Sequence, residues 1–417
     1  MVKILHFADA HIDMANYGRH DPVSGLPARV LDFLKSLDEI VDEAITQKVD
    51  LVIFAGDAYK DRTPSPTFQR EWGRRIMRLS RANIPTILLV GNHDSSPALG
   101  RATTLDPFQT LEVPNILVIE RPQFLNPQDL WGLPINLLAL PWIPRSSLIA
   151  NLGLTSLDIK NINEEIEERL TFLIKEWLDS ADPSLPCILT AHATVQGAKY
   201  GAERSIMLGN DFMLSGSLVR DPRLDYVALG HIHSAQNLNE NNHPPIIYPG
   251  SIERVDFSEA SEKKFYVTAE IEKGNTQVHW HELKGIRPFI NISLSLNQKN
   301  DVWESILKVL PPQEELRDAI VRLIIDYPLD QEAIIPDNEI RQYAANAFEF
   351  QLIKRPIHAL RSRLPDATDI HDLPPADLLE LYLRSHPTSN SGDADLQEII
   401  QLAEEIFREP ETPEQDK

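Results

Sequence analysis

The sequence predicts an α/β fold built in layers, and three observations predict it: apolar runs of strand length, helical apolar stripes between them, and polar clusters where the runs end. The runs are Val2 to Ala8, Asp50 to Ala55, Thr86 to Val90, Ile188 to Ala191 and Asp225 to Leu229. Each is short and nearly continuous in apolar character, as expected of a strand covered on both faces. Between the first two, Val30, Leu34, Leu37, Val41 and Ala44 recur at steps of four and three, which predicts a helix with one buried stripe. Ile162, Ile166, Leu170, Leu173 and Trp177 predict another. Both stripes are read as core.

Beyond Gly250, Lys264 to Ile271 and Thr276 to His281 predict a hairpin turning at Lys273-Gly274-Asn275 and completing the first domain's sheets. A boundary follows near Gly285, giving a first domain over residues 1–284. Residues 285–363 carry a strand (Phe289 to Leu296), a helix (Val302 to Leu310), a strand (Ala319 to Tyr327) and a helix from Asn338, enough for a small α/β domain. Residues 364–417 read as an acidic helical tail. Leu378, Leu379, Tyr382 and Leu383 form one apolar stripe, and Leu396, Ile399, Ile400, Ala403 and Ile406 form the next. Such helices either fold back or dock on a partner, and Glu409 to Lys417 is expected to be disordered.

At 417 residues the chain has ample length for a large core and for two or three units. The lone cysteine, Cys187, lies in an apolar run, so it reads as a buried thiol in a chain without disulfides, suited to a reducing compartment. The opening Met1-Val-Lys-Ile-Leu-His runs into a strand with no export signal or membrane span, and a cytoplasmic protein is expected. The net charge of −22 disfavours nucleic acid at first sight. Yet half of it lies from Asp366 onward, where 14 acidic residues face 3 basic ones. Carboxylates at a metal site would be neutralised by their ions, so DNA binding is expected to need metal, a local basic groove or a partner.

Polar clusters close the strand candidates one after another. Asp9-Ala-His11 follows the first, Gly56-Asp57 the second, Gly91-Asn92-His93-Asp94 the third, His192 the fourth and Gly230-His231-Ile-His233 the fifth. Carboxyl ends of strands in an open sheet face one crevice, so the clusters should converge. Aspartate, histidine and asparagine without cysteine suit manganese, iron or zinc in a reactive site and not a structural zinc. Seven candidate ligands, Asp9, His11, Asp57, Asn92, His192, His231 and His233, exceed what one ion uses, which implies two. Each motif taken singly is weak; their order and placement carry the reading.

This ordered set resembles the five signature motifs of calcineurin-like metallophosphoesterases. Ile4-Leu5-His6-Phe7-Ala8-Asp9-Ala10-His11, Thr63-Pro64-Ser65 and Tyr248-Pro249-Gly250-Ser251-Ile252-Glu253-Arg254 further resemble the SbcD-type nuclease subunits, over the whole chain. One departure is Ala58-Tyr59-Lys60 after Gly56-Asp57, where that family commonly has Leu-Phe and then His or Asp; it leaves the ligands intact and bears on substrate contacts around Lys60. The resemblance implies a layered β-sandwich flanked by helices, with residues 285–363 as a DNA-binding cap and 364–417 as the segment that grips an SbcC-type coiled-coil ATPase. It implies that Asp9, His11 and His233 hold one ion, that Asn92, His192 and His231 hold the other, and that Asp57 bridges them. Two manganese ions about 3.5–4 Å apart would then serve an in-line phosphoryl displacement. His93 is left over, placed to stabilise phosphorane-like charge or to protonate the departing 3′-oxygen, with Asp94 orienting it.

His6, inside the first strand, reads as a hydrogen-bonded core histidine. His20, His243, His279, His281 and His371 have no partners at ligand spacing and are assigned to surface or packing. Arg19, Lys60, Arg62, Lys199 and Arg204 suit either DNA phosphates or solvated loops, with Tyr17, Tyr59 or Tyr200 as stacking candidates. The helix after Pro66, with Trp72, Ile76 and Leu79, lies where the resemblance puts a homodimer contact; packing on the sheet is the other reading. No Gly-x-x-x-x-Gly-Lys-Ser/Thr loop occurs, so ATP is expected to belong to the partner. The expected activity is manganese-dependent exonuclease and endonuclease action on DNA ends and hairpins in double-strand-break repair. The alternatives are a small-molecule or cyclic-nucleotide phosphodiesterase or a phosphoprotein phosphatase on the same two-metal site, and a DNA-end-tethering scaffold without catalysis.

Overall fold

The structure, a computed structural model, describes residues 1–95, 101–143, 159–201, 213–296 and 302–357. Two compact units divide the chain: Met1–Ile292 with Val309–Leu323 and Asp337–Leu352, and Ser293–Lys308 with Ile324–Pro336 and the chain from Ile353. The expected tail helices, the last residues of the 285–363 segment, Arg204 and His371 lie outside the described residues.

The first unit is built on two six-stranded sheets. In one, Asn275–Glu282, Phe265–Glu272, Val2–Phe7, Leu51–Phe54, Thr86–Leu89 and Ile116–Ile119 lie in that order. In the other the order is Gln236–Asn237, Ile246–Tyr248, Tyr226–Gly230, Cys187–His192, Asn136–Leu140 and Gln123–Leu125. The central strands of both are parallel, with antiparallel pairs toward one edge of the first sheet and both edges of the second.

Alternating residues explain the continuous apolar runs. Ile4, Leu51, Ile53, Ile87 and Leu89 meet Leu137, Ala139, Ile188, Ala228 and Ile247 in one buried layer between the sheets. Leu5, Phe7, Val52 and Phe54 face the other way, onto helices Ala28–Gln47 and Pro66–Arg81. Leu189, Ala191, Val227 and Leu229 face helix Ile159–Ser180. Each of these five strands is therefore covered on both sides, in a helix–sheet–sheet–helix stack. The stripe Val30, Leu34, Leu37, Val41 and Ala44 is buried as expected, and so are Ile166 and Leu170.

The hairpin forms with Glu272 opposite Asn275, and Gly274 takes φ +76° in its turn. Phe289–Ser295, Ile320–Pro328 and Glu349–Ile357 make a three-stranded sheet, and Val302–Val309 and Asp337–Tyr343 are helices. His6 is fully buried with its Nδ1 3.1 Å from the Tyr226 hydroxyl, and burial pushes its pKa down to about 3, so it is a neutral core residue. Cys187 is buried and burial pushes its thiol up to about 12, which makes it inert. Among the described residues no helix is long and apolar enough to cross a membrane.

Candidate metal centre

The five motif-bearing strands do not share one open sheet, as their pattern suggested. Val2–Phe7, Leu51–Phe54 and Thr86–Leu89 belong to one sheet, Cys187–His192 and Tyr226–Gly230 to the other. Their carboxyl ends nevertheless meet, because the two sheets are stacked and the loops brace one another. Asp9 N donates to Gly56 O at 2.9 Å, Ala10 N to Asp57 O at 2.8 Å and His231 N to the Asp9 carboxylate at 3.0 Å.

The turns are strained where the donors sit. Asp9, His11, Asp57 and His231 have φ of +50°, +36°, +63° and +96°. Each such residue costs on the order of 1–3 kcal/mol, a cost that the surrounding fold must offset. Part of the compensation is Asp94, fully buried, whose carboxylate accepts from Asp57 N at 2.8 Å, Ala58 N at 3.0 Å, Gly91 N at 3.0 Å and Thr104 Oγ1 at 3.1 Å. Gly91 must be glycine, since a Cβ there would collide with the Asp57 carboxylate. The orientation expected for Asp94 therefore differs: it holds the Asp57 turn. The His93 ring rests instead with Nδ1 on the Lys60 carbonyl, while His93 N donates to Asp57 Oδ1 at 2.8 Å.

Two groups of donor atoms result, Asp9 with His11 and His233, and Asp57 with His192 and His231. Asn92 Oδ1 joins the second, 2.9 Å from His192 Nε2 and 3.0 Å from His231 Nδ1. Asp57 Oδ2 lies 3.4 Å from His192 Nε2 and 3.8 Å from His11 Nε2, between the two groups. All seven predicted ligands are thus brought together, with His93 beside them at 5.2 Å between its ring and that of His11.

Proton bookkeeping shows what the centre suits. His11 Nδ1 donates to Tyr59 O at 3.1 Å, and His233 Nδ1 to Glu259 Oε1 at 2.9 Å. With those nitrogens protonated, the neutral rings turn their Nε2 lone pairs toward each other at 3.1 Å. Two opposed lone pairs repel unless a cation sits against both, so the donor set fits a divalent metal.

The electrostatics agree. Burial pushes the Asp9 carboxyl up to about 7, against the pull of His192 and His233. Burial also opposes ionisation of Asp57, but the charge and hydrogen bond of His192, with His93 and His11, hold it below the usual carboxylate range. His192 mirrors this: burial disfavours its charge, yet Asp57 lifts it to about 9. Three buried carboxylates in this small volume, Asp9, Asp57 and Asp94, call for positive charge at the centre.

Several peripheral expectations change. Tyr59 is 1% exposed, its ring 6.1 Å from that of Trp72, so it is core and cannot stack on a base. Tyr17 packs edge-on against Phe257 and Phe289. Trp72, Ile76 and Leu79 are fully buried under the first sheet, which leaves the helix Pro66–Arg81 no apolar face for a dimer contact built on those residues. Glu259 and Lys264, both buried beside His233, and Trp142, whose ring lies 5.1 Å from that of His231, were not picked out by sequence.

Removal of divalent ions by a chelator is expected to lower the melting temperature. A divalent ion at a hundredfold excess over its Kd should restore about 2.7 kcal/mol per site. Scanning calorimetry with and without the ion checks this, and an unchanged transition would count against the centre.

Comparison with known proteins gives the same direction. A family described as calcineurin-like phosphoesterase matches residues 2–235. The SbcD component of nuclease SbcCD from Escherichia coli strain K12 is 28% identical over 280 residues, 63% of this chain and 64% of that protein. The DNA double-strand break repair protein Mre11 of Archaeoglobus fulgidus is 26% identical over 298 residues, 70% of this chain and 59% of that protein. The chain thus spans somewhat less than two thirds of the length of either relative. The family match covers more than half the chain and takes in all seven donor residues, so the chain belongs to the calcineurin-like phosphoesterase family.

Proposed function

We propose that this chain is the nuclease subunit of an SbcCD-type complex, hydrolysing DNA phosphodiesters at ends and hairpins with two manganese ions. The observation that carries the reading is the convergence of Asp9, His11 and His233 with Asp57, Asn92, His192 and His231 on one buried centre. The likeness to a protein named as a nuclease subunit and to one named for DNA double-strand break repair supports the choice of DNA among phosphoesters.

When bound, the ions supply Lewis-acid charge to the attacking and leaving oxygens of an in-line displacement. The protein's own part is to hold the donors in place before substrate arrives. Asp9, His11 and His233 would hold one ion and Asn92, His192 and His231 the other, with Asp57 shared. His93, on the more open side of the centre, keeps Nδ1 engaged by Lys60 O, so in the doubly protonated ring Nε2 is the end that would hand a proton to a departing 3′-oxygen. Lys60 and Arg62 are exposed nearby, and Arg62 Nε donates to Asn92 O at 3.2 Å, which suits a phosphate chain running past the centre.

In this reading residues 1–284 form the nuclease core, 285–363 a DNA-binding cap and 364–417 the grip on an SbcC-type ATPase. The complex is cytoplasmic and homodimeric. The test is degradation of end-labelled duplex and hairpin DNA by the purified chain with manganese, beside a cyclic dinucleotide and an aryl phosphodiester, with Asp57→Ala as the blank. DNA cleavage that vanishes in the blank is the expected result. Hydrolysis of the small diesters alone, even with the ATPase added, would overturn the substrate and leave the centre standing.

A further inference from the structure

His233 is held differently from its neighbours. His11 and His192 rest their far nitrogens on backbone carbonyls, Tyr59 O and Ala55 O, whereas His233 Nδ1 meets a carboxylate, Glu259 Oε1, at 2.9 Å. Glu259 is 2% exposed, and its other oxygen lies 2.7 Å from Lys264 Nζ and accepts from Val255 N at 3.0 Å. Lys264, 1% exposed, also reaches Ser251 Oγ at 2.9 Å, Glu262 Oε2 at 3.0 Å and the His233 carbonyl at 3.3 Å. Ser251 N donates to that same carbonyl at 3.1 Å. Gly250, at φ +82°, lets the loop close this tightly, since a Cβ there would run into the His233 oxygen.

Both ends of His233 are therefore gripped, the ring by Glu259 and the main chain by Lys264 and Ser251. A buried ion pair is a poor way to gain stability, because desolvating two charges consumes most of their attraction. Its geometry here serves something else. A carboxylate on the far nitrogen fixes the tautomer, aims the Nε2 lone pair and makes it a stronger donor than a carbonyl does.

We propose that Glu259, held in place by Lys264 and Val255 N, is a positioning residue that sets the tautomer and donor strength of His233, and so the affinity of the Asp9–His11–His233 site. The proposal rests on His233 being a metal ligand. Supporting it, the Lys264 charge and the His233 hydrogen bond outweigh burial and hold the Glu259 carboxyl below the usual range.

The test is calorimetric titration of manganese into the full chain and into Glu259→Ala, His233→Ala and the paired change Glu259→Gln with Lys264→Met. Circular dichroism of each metal-free protein checks the fold. In Glu259→Ala one of the two binding events should weaken by about 10- to 100-fold while the other stays within about threefold. The paired change leaves no lone buried charge and keeps an amide oxygen for the ring, so it should weaken the same event by a smaller factor, at least about threefold. Should Glu259→Ala not fold, the paired change decides: selective weakening supports the proposal and wild-type affinity overturns it. Loss of one event in His233→Ala with Glu259→Ala unchanged would overturn the role of Glu259 and leave the ligand assignment standing. Unchanged binding in His233→Ala would remove the assignment itself, and equal weakening of both events with an altered fold would mean a general structural role.

Discussion

Asp57→Asn is expected to lower phosphodiester hydrolysis by about 1,000-fold or more, equivalent to about 4 kcal/mol of transition-state stabilisation. The substitution preserves the side chain's volume and an oxygen to accept from His93 N, so the turn it belongs to has every reason to persist. What it removes is the charge that lies between both donor groups, 3.4 Å from His192 Nε2 and 3.8 Å from His11 Nε2. Burial opposes that charge, and the histidines hold the group ionised all the same. A neutral amide at this position cannot share its charge between two ions. Binding of at least one should fall with the rate, and the two losses can be read separately by calorimetry and by steady-state kinetics. A variant that keeps more than a tenth of wild-type kcat/KM while folded would remove Asp57 from the bridging position.

Much of this centre was legible because its information is local. Asp9-x-His11, Gly56-Asp57, Gly91-Asn92-His93-Asp94 and Gly230-His231-x-His233 each directly follow or end an apolar run, so strand and ligand are read from the same few residues. Positive φ values at Asp9, His11, Asp57 and His231 mark three of those turns as specific. Pairing was less legible. Nothing in an apolar run says which of two sheets it joins, and Gln123–Leu125 and Ile246–Tyr248, three residues each, are too short to display a period.

Glu259 and Lys264 stayed hidden for a related reason. Phe257-Ser-Glu-Ala-Ser-Glu-Lys-Lys264 reads as a solvated stretch, and nothing local separates buried Glu259 from the more accessible Glu262. Only the return of the chain to His233, 26 residues earlier, decides it. Tyr59 failed in the opposite sense. Between Asp57 and Lys60 it looks like part of an exposed substrate loop, but the fold turns its ring inward toward Trp72.

His93→Ala should produce the second large loss, about 100- to 10,000-fold in kcat on DNA, with both ions retained within about threefold of wild-type affinity. Its ring stands beside the donors: Nδ1 is engaged by Lys60 O and the main chain by Asp57 Oδ1. Two roles fit that position, protonating the departing 3′-oxygen or stabilising charge on the reacting phosphorus group, and leaving-group chemistry separates them. A 3′-alkoxide is a poor leaving group that needs a proton, whereas p-nitrophenolate leaves without one. If His93 is the acid, the defect should shrink by at least about tenfold on a p-nitrophenyl diester. An equal defect on both substrates would assign the ring to charge stabilisation, and undiminished DNA cleavage would remove it from catalysis. Asp94→Ala should behave unlike either. Its carboxylate holds the main-chain N–H groups of Asp57, Ala58 and Gly91, so its loss loosens the turn that presents Asp57 and should weaken metal binding, whatever the leaving group. Adjacent in sequence, the two residues are thus expected to separate in function, the histidine acting on substrate and the aspartate on the shape of the site.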